Sequence, residues 1–175
     1  MLAAALFLAA CTDAHSIDPV GSEPTVAARA SLNCANAIDG TPPPADYAVI
    51  EDALGLPASP GHAALQAASS GGSPRLFAKT GLVVRAGIAS EIDVPDAVEQ
   101  HAGVGWNNGP AVPSRRFAVP GCPDLRGTGW LAYPGGFWTD EPLCLPLDVR
   151  VGDQVRRVQI GVGTACPGQA APPSP

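Results

Sequence analysis

The sequence predicts an all-β domain: an antiparallel β-sandwich, immunoglobulin-like or similar, of about eight short strands stapled by two disulfides. Three observations predict it. Apolar and polar residues alternate with period two in several short segments spaced by roughly 8–12 residues, as in sandwiches and barrels. Glycine and proline contribute 20 residues each to a chain of 175, about twice their usual ~12% share, so turns are frequent and long helices are not. Five cysteines are present; one sits in an N-terminal leader motif, which leaves an even number for pairing.

The elements follow in chain order. Residues 34–44 (CANAIDGTPPP) read as a loop leading into the domain, because three consecutive prolines cannot sit in a central strand. Tyr47 to Leu56 is a strand candidate or a short helical turn. Ala58 to Pro74 is rich in Ser, Gly and Pro and reads as a long loop with a helical turn at His62 to Ala67. Arg75 to Gly87 carries the strongest strand signal. Leu76, Ala78, Leu82, Val84 and Ala86 share one face; Lys79 and Arg85 share the other with Phe77 and Val83. Ala89 to Val94 is a second strand, and Gly103 to Trp106 a third, ended by a turn at Asn107-Asn108-Gly109-Pro110. Arg116 to Cys122 and Gly129 to Tyr133 follow; Pro134-Gly135-Gly136 then reads as a turn, with Phe137 to Thr139 returning. Leu147, Val149 and Val151 alternate with Asp148 and Arg150. Gly152-Asp153 turns the chain, and Val158, Ile160 and Val162 alternate with Arg157 and Gln159, which describes a hairpin with one wet face.

The amino terminus reads as an address. Residues 2–10 (LAAALFLAA) are uniformly apolar. Nine residues are too few to span a bilayer, which takes ~20, but suit the apolar region of a signal peptide. Leu8-Ala9-Ala10-Cys11 resembles the lipobox of bacterial lipoproteins. That resemblance implies residues 1–10 as a cleaved signal, diacylglycerol and then palmitate-type acylation of Cys11, and a membrane-anchored or secreted protein outside the cytoplasm. Residues 11–33 are expected to form a flexible tether, 34–167 the folded domain and 168–175 a disordered tail.

Beyond Cys11 stand Cys34, Cys122, Cys144 and Cys166. Four cysteines in an exported protein indicate two disulfides, with three possible pairings. Cys122–Cys144, around a short hairpin-like segment, and Cys34–Cys166, clamping the domain ends, are the favoured pair. No two cysteines are spaced as in structural zinc sites, and His15, His62 and His101 are scattered, so neither metal nor cofactor is expected.

Residues 75–87 (RLFAKTGLVVRAG), Gly135-Gly136-Phe137-Trp138, Pro142-Leu143-Cys144 and Gly161-Val162-Gly163 before Cys166 together resemble a group of secreted proteins and lipoproteins of high-GC Gram-positive (actinobacterial) bacteria whose activity is uncharacterised. The resemblance covers residues 34–167. It implies the fold and the address and brings no catalytic residues. Nine of the ten basic residues are Arg, in keeping with a high-GC genome.

Composition narrows the function. The chain is 46% hydrophobic and only 15% charged, with a net charge of −6. A polyanion such as nucleic acid is repelled overall. No G-x-S-x-G elbow or phosphate-cradling glycine loop is present. The acidic pairs Glu51-Asp52, Glu91/Asp93 and Asp140-Glu141 offer no convincing catalytic arrangement, since adjacent strand residues face opposite ways. Trp106, Trp130, Tyr133 and Trp138, with Phe137, gather near Cys122 and Cys144 in sequence. Exposed, they would form a ligand or partner patch rimmed by Arg126, Asp140 and Glu141; buried, they would be the large members of an Ala/Val-rich core. The expected function is a non-catalytic, lipid-anchored binding or envelope-accessory module whose partner is an envelope protein or a glycan. The alternative is a secreted hydrolase acting on an envelope or extracellular polymer.

Overall fold

In a computed structural model, residues 26–71, 74–107 and 112–174 are described. The signal segment, Cys11, the first part of the expected tether and most of the Asn107–Pro110 turn lie outside them.

The domain is all-β, as the alternation predicts. The described residues form eleven strands: β1 (Ala27–Ser31), β2 (Ala48–Ile50), β3 (Leu54–Leu56), β4 (Ala68–Ser69), β5 (Leu76–Arg85), β6 (Ser90–Asp93), β7 (Ala102–Trp106), β8 (Ser114–Val119), β9 (Trp130–Thr139), β10 (Leu143–Val151) and β11 (Gln154–Val162). The expected sandwich is corrected. All strands belong to one sheet, ordered β11-β10-β6-β8-β7-β9-β5-β3-β2, with β1 on β8 and β4 on β5. The sheet curls until its ends almost meet. Ser59, just past β3, donates to Gln159 O on β11; Leu65 donates to Gly161 O and accepts from Gly163 N. An Arg156–Glu51 ion pair crosses the same seam. Sandwich and barrel strands both bury one face, so period two cannot separate them.

The interior is filled by side chains from alternate positions: Leu82 and Val84 of β5, Leu131 and Phe137 of β9, Leu147 and Val149 of β10, and Ile160 of β11 are all essentially inaccessible. At its centre Trp106 meets Phe117 and Phe137 edge to face, each at 5.4 Å between ring centroids.

β9 is the main departure from expectation. It is a continuous ten-residue strand through Pro134-Gly135-Gly136, paired with β5 from Leu76↔Thr139 to Arg85↔Trp130. The two glycines are seats for aromatic rings. A Cβ on Gly135 would lie 2.6 Å from Trp106 inside the barrel; one on Gly136 would lie 2.7 Å from Phe77 on the other side, and each would also strike neighbouring backbone. Local turn chemistry therefore loses to packing across strands.

Three further expectations change. The tether ends sooner, because residues 27–31 form β1, which pairs in parallel with β8. Residues 62–67 form no helical turn; Leu65 bridges β11 instead. The carboxyl-terminal segment is held: Ala64 N donates to Ala170 O, Gln66 Nε2 to Pro173 O and Gln169 Nε2 to His62 O.

Two disulfides are present, but the pairing is Cys34–Cys122 and Cys144–Cys166. The favoured pairs are corrected for a topological reason. β1 runs parallel to β8, so Ser31 lies beside Ala118 and both chains leave the sheet at the same end, where Cys34 meets Cys122. Cys144 lies opposite Gly161 in the β10–β11 hairpin, and the chain bends at Gly163 to bring Cys166 back to it.

Non-reducing peptide mapping should recover these two linkages. The chain-entropy relation assigns about 4–5 kcal/mol to the 88-residue loop and about 3 kcal/mol to the 22-residue loop, so urea melts should rank Cys34→Ser/Cys122→Ser as the more damaging double variant. The strand reading of residues 134–136 is checked by three alanine substitutions. Gly135→Ala and Gly136→Ala should each lose on the order of 1–3 kcal/mol by overpacking. Gly81→Ala, whose Cβ would meet nothing nearer than 3.9 Å, should be within about 1 kcal/mol of the parent.

Candidate functional site

The four residues of the anticipated aromatic patch do not share a surface. Trp106 and Tyr133 are wholly enclosed. The Trp106 indole N–H has no acceptor among the described residues, so packing alone holds the ring. Tyr133 Oη donates to Cys34 O at 3.3 Å, and burial pushes its phenol pKa up. Trp130 is 7% exposed and lies under the Arg85 guanidinium, 4.3 Å from the ring centroid. Trp138, half-buried, stacks on Phe77 at 4.5 Å with the planes tilted by 34°. The ligand patch is therefore corrected. A turn at residues 134–136 would have set the flanking aromatics on neighbouring strands. One continuous strand sends Tyr133 inward and Trp130 and Trp138 outward.

The proposed rim disperses as well. Arg126 donates to Ala37 O, and the Asp140 carboxylate meets His101 Nδ1 at 3.0 Å. Glu51 and Asp52 occupy a tight turn with positive φ and bind different arginines, Arg156 and Arg85. Among the described residues no group of three or more His, Cys, Asp or Glu side chains is placed to hold a metal ion.

Two concavities of the described residues lie on the outer surface and differ in character. The first, about 510 Å³, lies across β6, β8, β10 and β11. Strand register builds its floor: Arg116, Asp93, Asp148 and Arg157 occupy successive partner positions on β8, β6, β10 and β11, with Arg29 of β1 beside Arg116 at the edge. The two acids that face each other, Asp93 and Asp148, are each neutralised from the far side. Arg116 Nε binds Asp93 at 2.6 Å; Arg157 makes a two-pronged contact to Asp148 at 2.8 and 2.7 Å. Glu91 takes Arg29 at 3.1 Å, and Glu99 takes Arg115 at 3.4 Å. The Arg157 contact holds the Asp148 carboxyl below the usual carboxylate range, and Asp148 in return raises Arg157. Arg116 is raised by its hydrogen bond to Asp93. This face is a charge lattice whose members largely satisfy one another.

The second concavity, about 550 Å³, is of another kind. Its walls include Gln66, Ala68, Phe77, Pro172 and Pro173, and among the described residues its one charged lining residue is Lys79. Phe77 and Lys79 project from the outer face of β5, two positions apart. Gly136 across the strand leaves the space for the ring, and Trp138 supports it. The tail that carries Pro172 and Pro173 is fixed by Gln66 and Ala64. The alternation puts Phe77 beside Lys79 on the second face of its strand, and a large aromatic next to a lysine there is the available signal. The contribution of the tail is a long-range contact that nothing local announces.

Compared with known proteins, the chain matches no family and is similar to none of the curated proteins. Among the described residues no helix is long and apolar enough to cross a membrane.

The charge lattice predicts a pH signature. Asp148 has a folded pKa below its unfolded value near 3.8, so its stabilisation is complete above that value and is lost as pH falls through the folded one. Asp148→Asn should unfold at lower urea concentration than the parent at pH 7, and the gap should close below about pH 4. High salt should narrow the gap at neutral pH, because the pair is near the surface.

Proposed function

We propose that this chain is an extracytoplasmic lipoprotein: a binding or envelope-accessory module, cleaved before Cys11 and anchored to the outer face of the cell membrane by acyl chains on that thiol. The observation that carries the reading is the cysteine count. All four cysteines downstream of Cys11 are joined in two disulfides, which persist in oxidising compartments. Cys11 is the one thiol left over, and it stands directly after Leu8-Ala9-Ala10. Two acyl chains give stable anchoring, whereas one gives only marginal binding.

A binding role fits a body whose interior is filled by apolar side chains and whose described concavities lie on the outside. Ligands held on such a surface meet preformed strands, so little order is lost on binding. Membership in an actinobacterial group of secreted proteins and lipoproteins is part of the same proposal, as are an envelope protein or glycan as partner.

The test is metabolic labelling with an alkyne palmitate analogue in a bacterial host that processes lipoproteins, followed by detergent phase partition. The parent should take up label and enter the detergent phase. Cys11→Ser should lose the label and move to the aqueous phase. A Cys11→Ser protein that is still labelled, or four alkylatable thiols in natively isolated parent, would overturn the reading.

A further inference from the structure

The geometry points to the groove over Phe77 and Lys79 as a site for a small amphiphilic carboxylate, a single acyl or aryl chain ending in an anionic head. This inference rests on the binding-module reading and names the ligand class it would serve.

The argument starts from size. A volume of about 550 Å³ lies within the ~300–1,000 Å³ typical of small-molecule sites, which are mostly apolar with a few placed polar groups. Here the apolar part comes from the Phe77 ring, backed by Trp138 at 4.5 Å, and from Ala68, Pro172 and Pro173. None of these surfaces needs to reorganise. Phe77 sits over Gly136, and the proline wall is pinned where Gln66 Nε2 donates to Pro173 O at 2.7 Å.

Charge supplies the sign of the ligand. Lys79 is the sole lysine of a chain whose net charge is −6. Every other guanidinium or imidazole given a carboxylate partner within 4 Å lies elsewhere; Lys79 has none among the described residues. Among the described residues no acid lines the groove. An apolar wall lowers the local dielectric response and strengthens attraction between the ammonium and an anionic head. The charged concavity does not compete as a candidate, because most of its cations already hold acids.

The geometry also sets the pose. Lys79 lies two residues along the strand from Phe77, a rise of roughly 6.6–7 Å, so a chain resting on the ring can reach the ammonium with its head. Lys79 is exposed, and changing it leaves the core untouched.

The experiment is isothermal titration calorimetry of sodium decanoate, below its micellar concentration, into the full exported chain carrying Cys11→Ser, so that no anchor or detergent competes. One saturable site per chain is expected. Lys79→Glu should weaken it at least tenfold and Lys79→Arg should restore most of the affinity. Ala68→Trp, which fills the groove, should abolish the heat, and decyltrimethylammonium should bind at least tenfold more weakly than decanoate. Thermal melts confirm that each variant is folded. Absence of saturable binding in the parent, or affinity unchanged in both Lys79→Glu and Ala68→Trp, overturns the inference. Binding confined to phosphatidylglycerol vesicles and lost in Lys79→Glu would also overturn it, in favour of a membrane surface. If decanoate fails while a glycan array or envelope pull-down yields a saturable ligand, the groove assignment falls and the binding-module reading stands.

Discussion

Two adjacent glycines on β9 support opposite sides of this protein. Gly135 faces inward and receives the edge of Trp106; Gly136 faces outward and receives Phe77. Any side chain larger than hydrogen would push a ring away from its strand. The inner contact places Trp106 where it meets Phe117 and Phe137, so the centre of the barrel is organised around it. The outer contact fixes the floor of the groove that carries Lys79. Core and surface site are thus two faces of one register: the ten-position pairing of β5 with β9. A one-residue slip there would exchange the faces and destroy both at once.

The second organising fact is the parallel placement of β1 on β8. Parallel neighbours usually require a long crossover, and here the chain between them carries β2 to β7. Because the two strands end together, the Cys34–Cys122 bridge closes the longest loop in the described chain without bending it. Cys144–Cys166 does the same for the local β10–β11 hairpin and its returning tail. The two bridges constrain different parts of the unfolded chain, one global and one local.

The parts legible in the sequence are those where one segment carries its own evidence. β5 and the β10–β11 hairpin alternate cleanly and have a glycine at the bend, so their position and their wet and dry faces follow from local chemistry. β1 was illegible because most of its residues are small and exposed and show no clear alternation; it is held by backbone pairing to β8, by the Arg29–Glu91 ion pair and by Ala30 against the core. β9 was misread because Pro134-Gly135-Gly136 has the composition of a turn, and only partners 30 to 60 residues away in sequence require it to be straight. The cysteine set was readable from counting, whereas its pairing depended on which strands run side by side. The aromatic residues show the same division. Their importance as bulk was visible, but which side of the sheet each one occupies depended on β9 being continuous. Phe77 and Lys79 could be read as neighbours on a face, while the proline wall that makes a groove of that face comes from the far end of the chain.

The parallel seating of β1 has a mechanical consequence. A pull applied ahead of Ala27 loads the β1–β8 hydrogen bonds lengthwise, as a group, instead of opening them one by one. Should they yield, residues 27–33 already run almost fully extended as β1 and its exit, so they can lengthen by only a few ångström, on the order of a tenth of their reach, before the covalent link from Cys34 to Cys122 takes the strain. Past that stop, traction passes directly into β8 and the body of the barrel. The molecule thus meets a pull on its first strand with a hard stop and very little give.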